Sequence, residues 1–287
     1  MKTTAKRIIP SSLIPYCQTA WRIRRTFLRR LDCRTLSREG FISQLKELGF
    51  TQGATIYLHS SMDEFSRRVP CIDPFKLISM LKELIGEEGT MLMPTFPFEG
   101  SQYYYVQTQK IFDVTRAPSK VGLLTELFRR SKGVIRSLHP THPIAAWGKH
   151  SRELVAEHHL GTAFGKKSPI FKMQQYNGLV ASIGVQPRRC FTLYHMAEEL
   201  HPKSRAMHYS ADKFETTIIN GEEKITYYIT PLRPDRKRIY DRADRILQKE
   251  KILHYYTVKG LKFGVTHVDK FLKRSMELID MDMYYGK

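Results

Sequence analysis

Thr55-Ile56-Tyr57-Leu58-His59, followed by Ser60-Ser61, decides the fold. A short apolar run rich in β-branched and aromatic residues predicts a buried strand. Ahead of it, residues 37–48 predict a helix with Ser37 as N-cap and Gly49 as its stop. Behind it, Asp73 and Pro74 open a helix from Phe75 to Leu84 that ends at Ile85-Gly86. Gly89-Thr90-Met91-Leu92-Met93-Pro94 then predicts a second strand. The order helix–strand–helix–strand predicts a parallel sheet covered by helices. Residues 95–113, with Tyr103-Tyr104-Tyr105 and little periodicity, predict a long loop or flap. Further elements are a helix from Val121 to Arg130, a strand at 178–184 and a helix starting near Phe191. The stretch from Phe214 to Thr230 alternates and breaks at Asn220-Gly221, a hairpin signal. A helix from Arg238 to Lys251 closes the regular part, and no internal repeat is visible.

The chain has 287 residues, of which 41% are hydrophobic, so it is long and apolar enough to bury a full core. No run approaches the roughly 18 apolar residues of a membrane-spanning helix. Lys2, Lys6 and Arg7 are followed by Pro10 and Pro15, which does not read as a signal peptide. Four cysteines are too few and too scattered for a disulfide framework or a paired zinc site, so a reducing cytoplasm is the expected location. The formal charge is +19, and residues 1–50 hold 11 basic and 3 acidic residues. Residues 12–31 predict an amphipathic helix, with Cys17, Trp21, Phe27 and Leu31 on one side and Arg22, Arg25 and Arg29 on another. Such a helix can lie on the inner face of a membrane, or pack on its own protein or on a second subunit as a homodimer. A second basic cluster spans Arg233 to Arg238, and no nucleic-acid-binding motif accompanies either cluster.

Three groups carry chemistry. His59-Ser60-Ser61 ends a strand, where α/β proteins place ligands, and it reads equally as a capped turn. His139 and His142 stiffen Arg136-Ser137-Leu138-His139-Pro140-Thr141-His142-Pro143, but no carboxylate or cysteine at a matching offset supports a metal. On a helix, Thr192, His195 and Glu199 share one face, and a helix N-terminus favours anionic groups. An imidazole there can act as a general base or be structural. Cys190 opens a thiol-nucleophile reading that needs a base and an orienting group.

Taken in order, these pieces resemble the aminoglycoside 3-N-acetyltransferase family. The likeness runs through Leu58-His59-Ser60-Ser61, 86–96, 112–122, 136–142, Ala145-Ala146-Trp147-Gly148, 164–169 and Leu193-Tyr194-His195-Met196-Ala197-Glu198. It covers roughly residues 38–275 and leaves a short basic helical extension, residues 1–37, outside an acetyltransferase domain spanning 38–287. The resemblance implies a single layered α/β/α domain that moves acetyl directly from acetyl-CoA to an amine, with His195 as general base. It implies that Ser60, Ser61, Ser119 and Thr192, with His59, Lys120, Arg136, Ser137 and His139, hold the cofactor or position its loops.

Departures accompany the likeness. The family's carboxylate downstream of the hairpin is missing from Tyr228-Ile229-Thr230-Pro231-Leu232-Arg233, which leaves Asp235, Glu198 and Glu199 as candidates to orient His195. Aminoglycosides are polycations, and arginines here stand where acidic residues are expected. The expected acceptor is therefore a neutral or anionic amino sugar on a nucleotide, lipid-linked glycan or polysaccharide precursor. The alternatives are a true aminoglycoside 3-N-acetyltransferase and a catalytically lapsed binding subunit of a glycan-assembly complex.

Overall fold

The computed structural model describes residues 32–235 and 238–286. The amphipathic helix expected over 12–31 therefore lies outside the described residues, as do Arg236 and Lys237. From Leu36 onward the chain forms one compact unit.

The strands are β1 (Thr55–Ser60), β2 (Thr90–Pro94), β3 (Ile111–Asp113), β4 (Ile135–Arg136), β5 (Ile144–Gly148), β6 (Leu179–Ile183), β7 (Phe214–Asn220), β8 (Glu223–Ile229), β9 (His254–Val258) and β10 (Leu261–His267). Seven form one sheet in the order β4-β5-β2-β1-β6-β10-β9. β1 pairs parallel with β2 and β6, with Ile56 opposite Met91 and His59 opposite Ser182. The flanks run antiparallel, β5 on β2 and β10 on β6, so the sheet is mixed rather than parallel throughout. Each flank ends in a hairpin, β4–β5 on one side and β9–β10 on the other, which needs only a short connection, whereas parallel neighbours need a helical crossover. The β9–β10 turn is Lys259-Gly260, and both residues have positive φ (46° and 83°), as a two-residue type I′ turn requires.

The side-chain period of two divides the core. Ile56, Leu58, Met91 and Met93 face the helices Arg38–Glu47, Met62–Arg68, Pro74–Ile85 and Leu123–Arg129. Tyr57, Leu92 and Val180 face Leu193–Leu200, Asp241–Lys249 and Val268–Asp280. The expected three-layer α/β/α domain is what forms. Ser37 caps its helix by accepting from Gly40 N, and Asp73 caps the next by accepting from Lys76 N.

Two expectations change. Residues 95–113 hold a helix, Gln102–Thr108, and the strand β3, rather than a flap without structure. Two helical turns are too short to display a 3.6-residue period, and β3 gains its partner only through β7, with Phe112 opposite Ile218. The second sheet is β3-β7-β8, and its hairpin turns at Gly221-Glu222, one residue beyond the expected pair. The regular part also does not end at Lys251, because β9, β10 and Val268–Asp280 follow.

Candidate active site

A cleft of about 700 Å³ opens on the Tyr57 face of the sheet. Its walls come from the end of β1, the loop after β2, the turn Pro187–Cys190, the helix Leu193–Leu200 and the link between β8 and Asp241–Lys249. Gly184 makes the turn out of β6 possible. Its φ is +78°, and a Cβ there would lie 2.9 Å from the Ser61 carbonyl oxygen.

His195 lies one turn into its helix and lines the cleft. Its Nδ1 is 3.1 Å from Glu198 Oε2, 3.1 Å from Tyr240 Oη and 3.3 Å from Arg238 Nη1. Tyr240 also donates to Glu198 Oε1 at 2.8 Å. These contacts assign the proton to Nδ1, donated to Glu198, and leave the Nε2 lone pair for the cleft. Arg238, a donor only, then contributes charge rather than a hydrogen bond to the ring. Burial alone would push the Glu198 carboxyl up, but His195, Arg238 and Tyr240 outweigh it and hold it below the usual carboxylate range.

Of the three candidate carboxylates, Glu198 meets the ring. Asp235 pairs with Arg233 at 3.0 Å. Glu199, expected on the histidine's face, turns the other way. It accepts from Phe164 N at 3.1 Å and from Tyr209 Oη at 2.6 Å, pinning the 162–165 loop. Burial pushes its carboxyl up, and bonds from Tyr209, Phe164 and Arg205 offset this only in part.

Among the expected cofactor residues, His59, Ser60 and Thr192 line the cleft. His59 is buried against Tyr57 and Phe191, with ring centroids at 4.8 and 5.6 Å, and burial pushes its imidazole down to about 3. Its Nε2 has no partner. Thr192, the N-cap of the histidine's helix, is 4% exposed, and its Oγ1 lies near Tyr57 without a hydrogen bond of good geometry. Ser61 starts the helix Met62–Arg68, and its backbone N–H donates to Ile183 O.

The remaining expected residues build the walls. Arg136 donates to Thr95 O (2.5 Å), Thr95 Oγ1 (3.0 Å), Val114 O (3.0 Å) and Ala117 O (2.6 Å), and burial lowers its guanidinium to about 9. Ser137 bonds His158 Nδ1 at 2.8 Å, and Ser119 bonds Thr125 at 2.8 Å. His139 receives the backbone N–H of His142 at 3.2 Å and meets Tyr227 Oη at 3.2 Å. Lys120 is exposed, and its backbone N–H donates to Phe96 O. Arg136 is thus engaged by four wall oxygens, and a cofactor contact by Lys120 stands as a proposal from the resemblance. Cys190 lines the cleft, but burial pushes its thiol well up and Sγ points to Gln186 O at 3.4 Å, so it lacks the base a nucleophile needs.

Sequence reasoning did not place Tyr240, Arg188 or Phe164, which complete the walls, and it weighed His142 only within its stiff loop and against a metal, whereas the His142 ring packs on Phe96 and Phe164 at 4.6 and 4.8 Å. Tyr240 is separated from His195 by 45 residues, so no local spacing reveals it. A cleft with an unpartnered hydroxyl at a helix start and the guanidinium groups of Arg188 and Arg189 on one wall fits an anionic thioester.

A model of the aminoglycoside 3-N-acetyltransferase family matches residues 57–279. Relatives include the SPbeta prophage-derived aminoglycoside N(3')-acetyltransferase-like protein of Bacillus subtilis (strain 168), 25% identical over 193 residues, or 61% of this chain and 69% of that protein. Aminoglycoside N(3)-acetyltransferase VII of Streptomyces paromomycinus is 26% identical over 202 residues, covering 65% and 68%. The solved structure of AAC-IIIb with CoASH shares the fold, with a TM-score of 0.70 at 18% identity over 88% of this chain and 99% of that one. Together with the arrangement around His195, the match over residues 57–279 means that this chain belongs to the aminoglycoside 3-N-acetyltransferase family of acyltransferases.

Proposed function

We propose that the chain is an acetyl-CoA-dependent N-acetyltransferase acting on an amine of an amino sugar. The observation that carries this reading is the His195 ring, held from its Nδ1 side by Glu198 and Tyr240 so that Nε2 serves the cleft. When bound, acetyl-CoA supplies an activated acetyl thioester, and amide formation releases CoASH. His195 Nε2 takes a proton from the acceptor nitrogen as it attacks, and Glu198 stabilises the imidazolium that results. The buried Thr192 hydroxyl and the first backbone N–H groups of Leu193–Leu200 stabilise negative charge on the carbonyl oxygen. The aromatic walls, including Phe164 at 5.8 Å from His195 by ring centroid, exclude water.

The relatives named above favour aminoglycosides as the acceptors. A second reading, an amino sugar outside that antibiotic class, is favoured by the arginines of the cleft. Release of CoA thiol from acetyl-CoA, followed with a thiol reagent, tests the activity. Turnover is expected with an amino-sugar amine, and no thiol release with any amine, aminoglycosides included, would remove the reading.

A further inference from the structure

The charged residues on the cleft wall have one sign. Arg188, Arg189, Arg233 and Arg238 line it, and among the described residues no Asp or Glu does. Carboxylates stand behind three of them: Asp241 at 2.5 Å from Arg188, Asp235 at 3.0 Å from Arg233 and Glu198 at 3.5 Å from Arg238. Each guanidinium has five N–H donors in a rigid fork, so a carboxylate behind it fixes its direction and leaves other donors for the opening.

The arginines come from two walls. Arg188 and Arg189 belong to the turn Pro187–Cys190. Arg233 and Arg238 belong to the link after β8, in which the backbone at Leu232 and Arg233 is tied down. Arg233 N donates to His208 O at 2.8 Å, and Leu232 N to Gln102 Oε1 at 3.1 Å. Arg238 reaches the reacting imidazole itself, with Nη1 3.3 Å from His195 Nδ1.

That contact separates two uses of positive charge. In coenzyme A the phosphates stand a full pantetheine arm away from the sulfur. A guanidinium touching the ring that serves the thioester cannot also meet those phosphates. Its charge acts on whatever else arrives at His195, which is the acceptor. Unit charges at contact distance interact by about 1 kcal/mol in bulk water and about 4 kcal/mol near a protein surface. A polycation meets this wall with the wrong sign.

Resting on the transferase reading, we infer that the amino acceptor carries an oxyanion, a phosphate or a carboxylate, which Arg238, at the His195 ring, and Arg233, on the same cleft wall, receive. The amine and the oxyanion belong to one small molecule, and the link after β8 reads the second while His195 serves the first.

The test uses a matched pair, glucosamine and glucosamine 6-phosphate, with kanamycin as the polycation. The inference predicts kcat/KM at least tenfold higher for the phosphate than for the neutral sugar, falling as salt screens the attraction. The Arg233→Ala variant should bring that ratio toward one while KM for acetyl-CoA stays unchanged. A ratio at or below one, or kanamycin as the best acceptor with a rate that falls with salt, overturns the inference and leaves the transferase standing. A rise in KM for acetyl-CoA in Arg233→Ala also overturns it, because the arginine would then serve the coenzyme. No thiol release with any of the three removes the transferase reading itself.

Discussion

Glu198 and Glu199 are neighbours in the chain with opposite surroundings. Helical geometry places residues three and four positions after His195 near its ring, and that rule alone cannot choose between them. The choice is made by side chains far away in sequence. Tyr240 and Arg238 gather Glu198 to the ring, while Tyr209 and the Phe164 backbone draw Glu199 to another loop. His195 was legible from its place on a helix near a strand end and from the family likeness, and its carboxylate was not. Substituting Glu198→Gln removes the charge that stabilises the imidazolium. Steady-state kinetics should show kcat lowered by roughly tenfold to a hundredfold with KM for acetyl-CoA unchanged. Glu199→Gln should retain kcat within about threefold, because Glu199 faces the 162–165 loop rather than the His195 ring and an amide keeps an acceptor for Tyr209. Equal losses in both variants would contradict the division.

At the scale of elements, the central strands were readable because burial on both faces leaves a continuous apolar run. β1, β2 and β6 show this, at Thr55–Ser60, Thr90–Pro94 and Leu179–Ile183. The flanking hairpin strands were less so. β4 has two residues, and β9 is half exposed, with a burial pattern that offers no alternation. Its Lys259-Gly260 turn carries a signal only in the glycine. The active-site turn depends on another glycine. Gly184→Ala would place a side chain at φ +78° and against the Ser61 carbonyl, destabilising the fold by about 1–3 kcal/mol. Urea unfolding should show a lower midpoint with an unchanged slope, and an unchanged midpoint would contradict the strain assigned to this turn.

Across the whole molecule, the Tyr57 side gathers histidines that burial keeps neutral. His59 is pushed down to about 3 and His158 to about 4, and His139 and His142 lie well below the ordinary value. Unfolded imidazoles take up protons near pH 6.5, so between about pH 6.5 and 4 the unfolded chain binds more protons than the folded one. Stability is lost as pH falls through that window, by up to about 1.4 kcal/mol per pH unit for each such histidine. The urea midpoint should drop between pH 7 and pH 5, and an equal midpoint would contradict the burial of these rings. The same face carries the cleft on which the functional account rests. A crystal structure with coenzyme A bound tests it most directly. The account predicts the sulfur within contact distance, about 4 Å, of His195 Nε2, with the pantetheine arm in the cleft. A sulfur placed away from that ring, or a coenzyme seated outside the cleft, would contradict it.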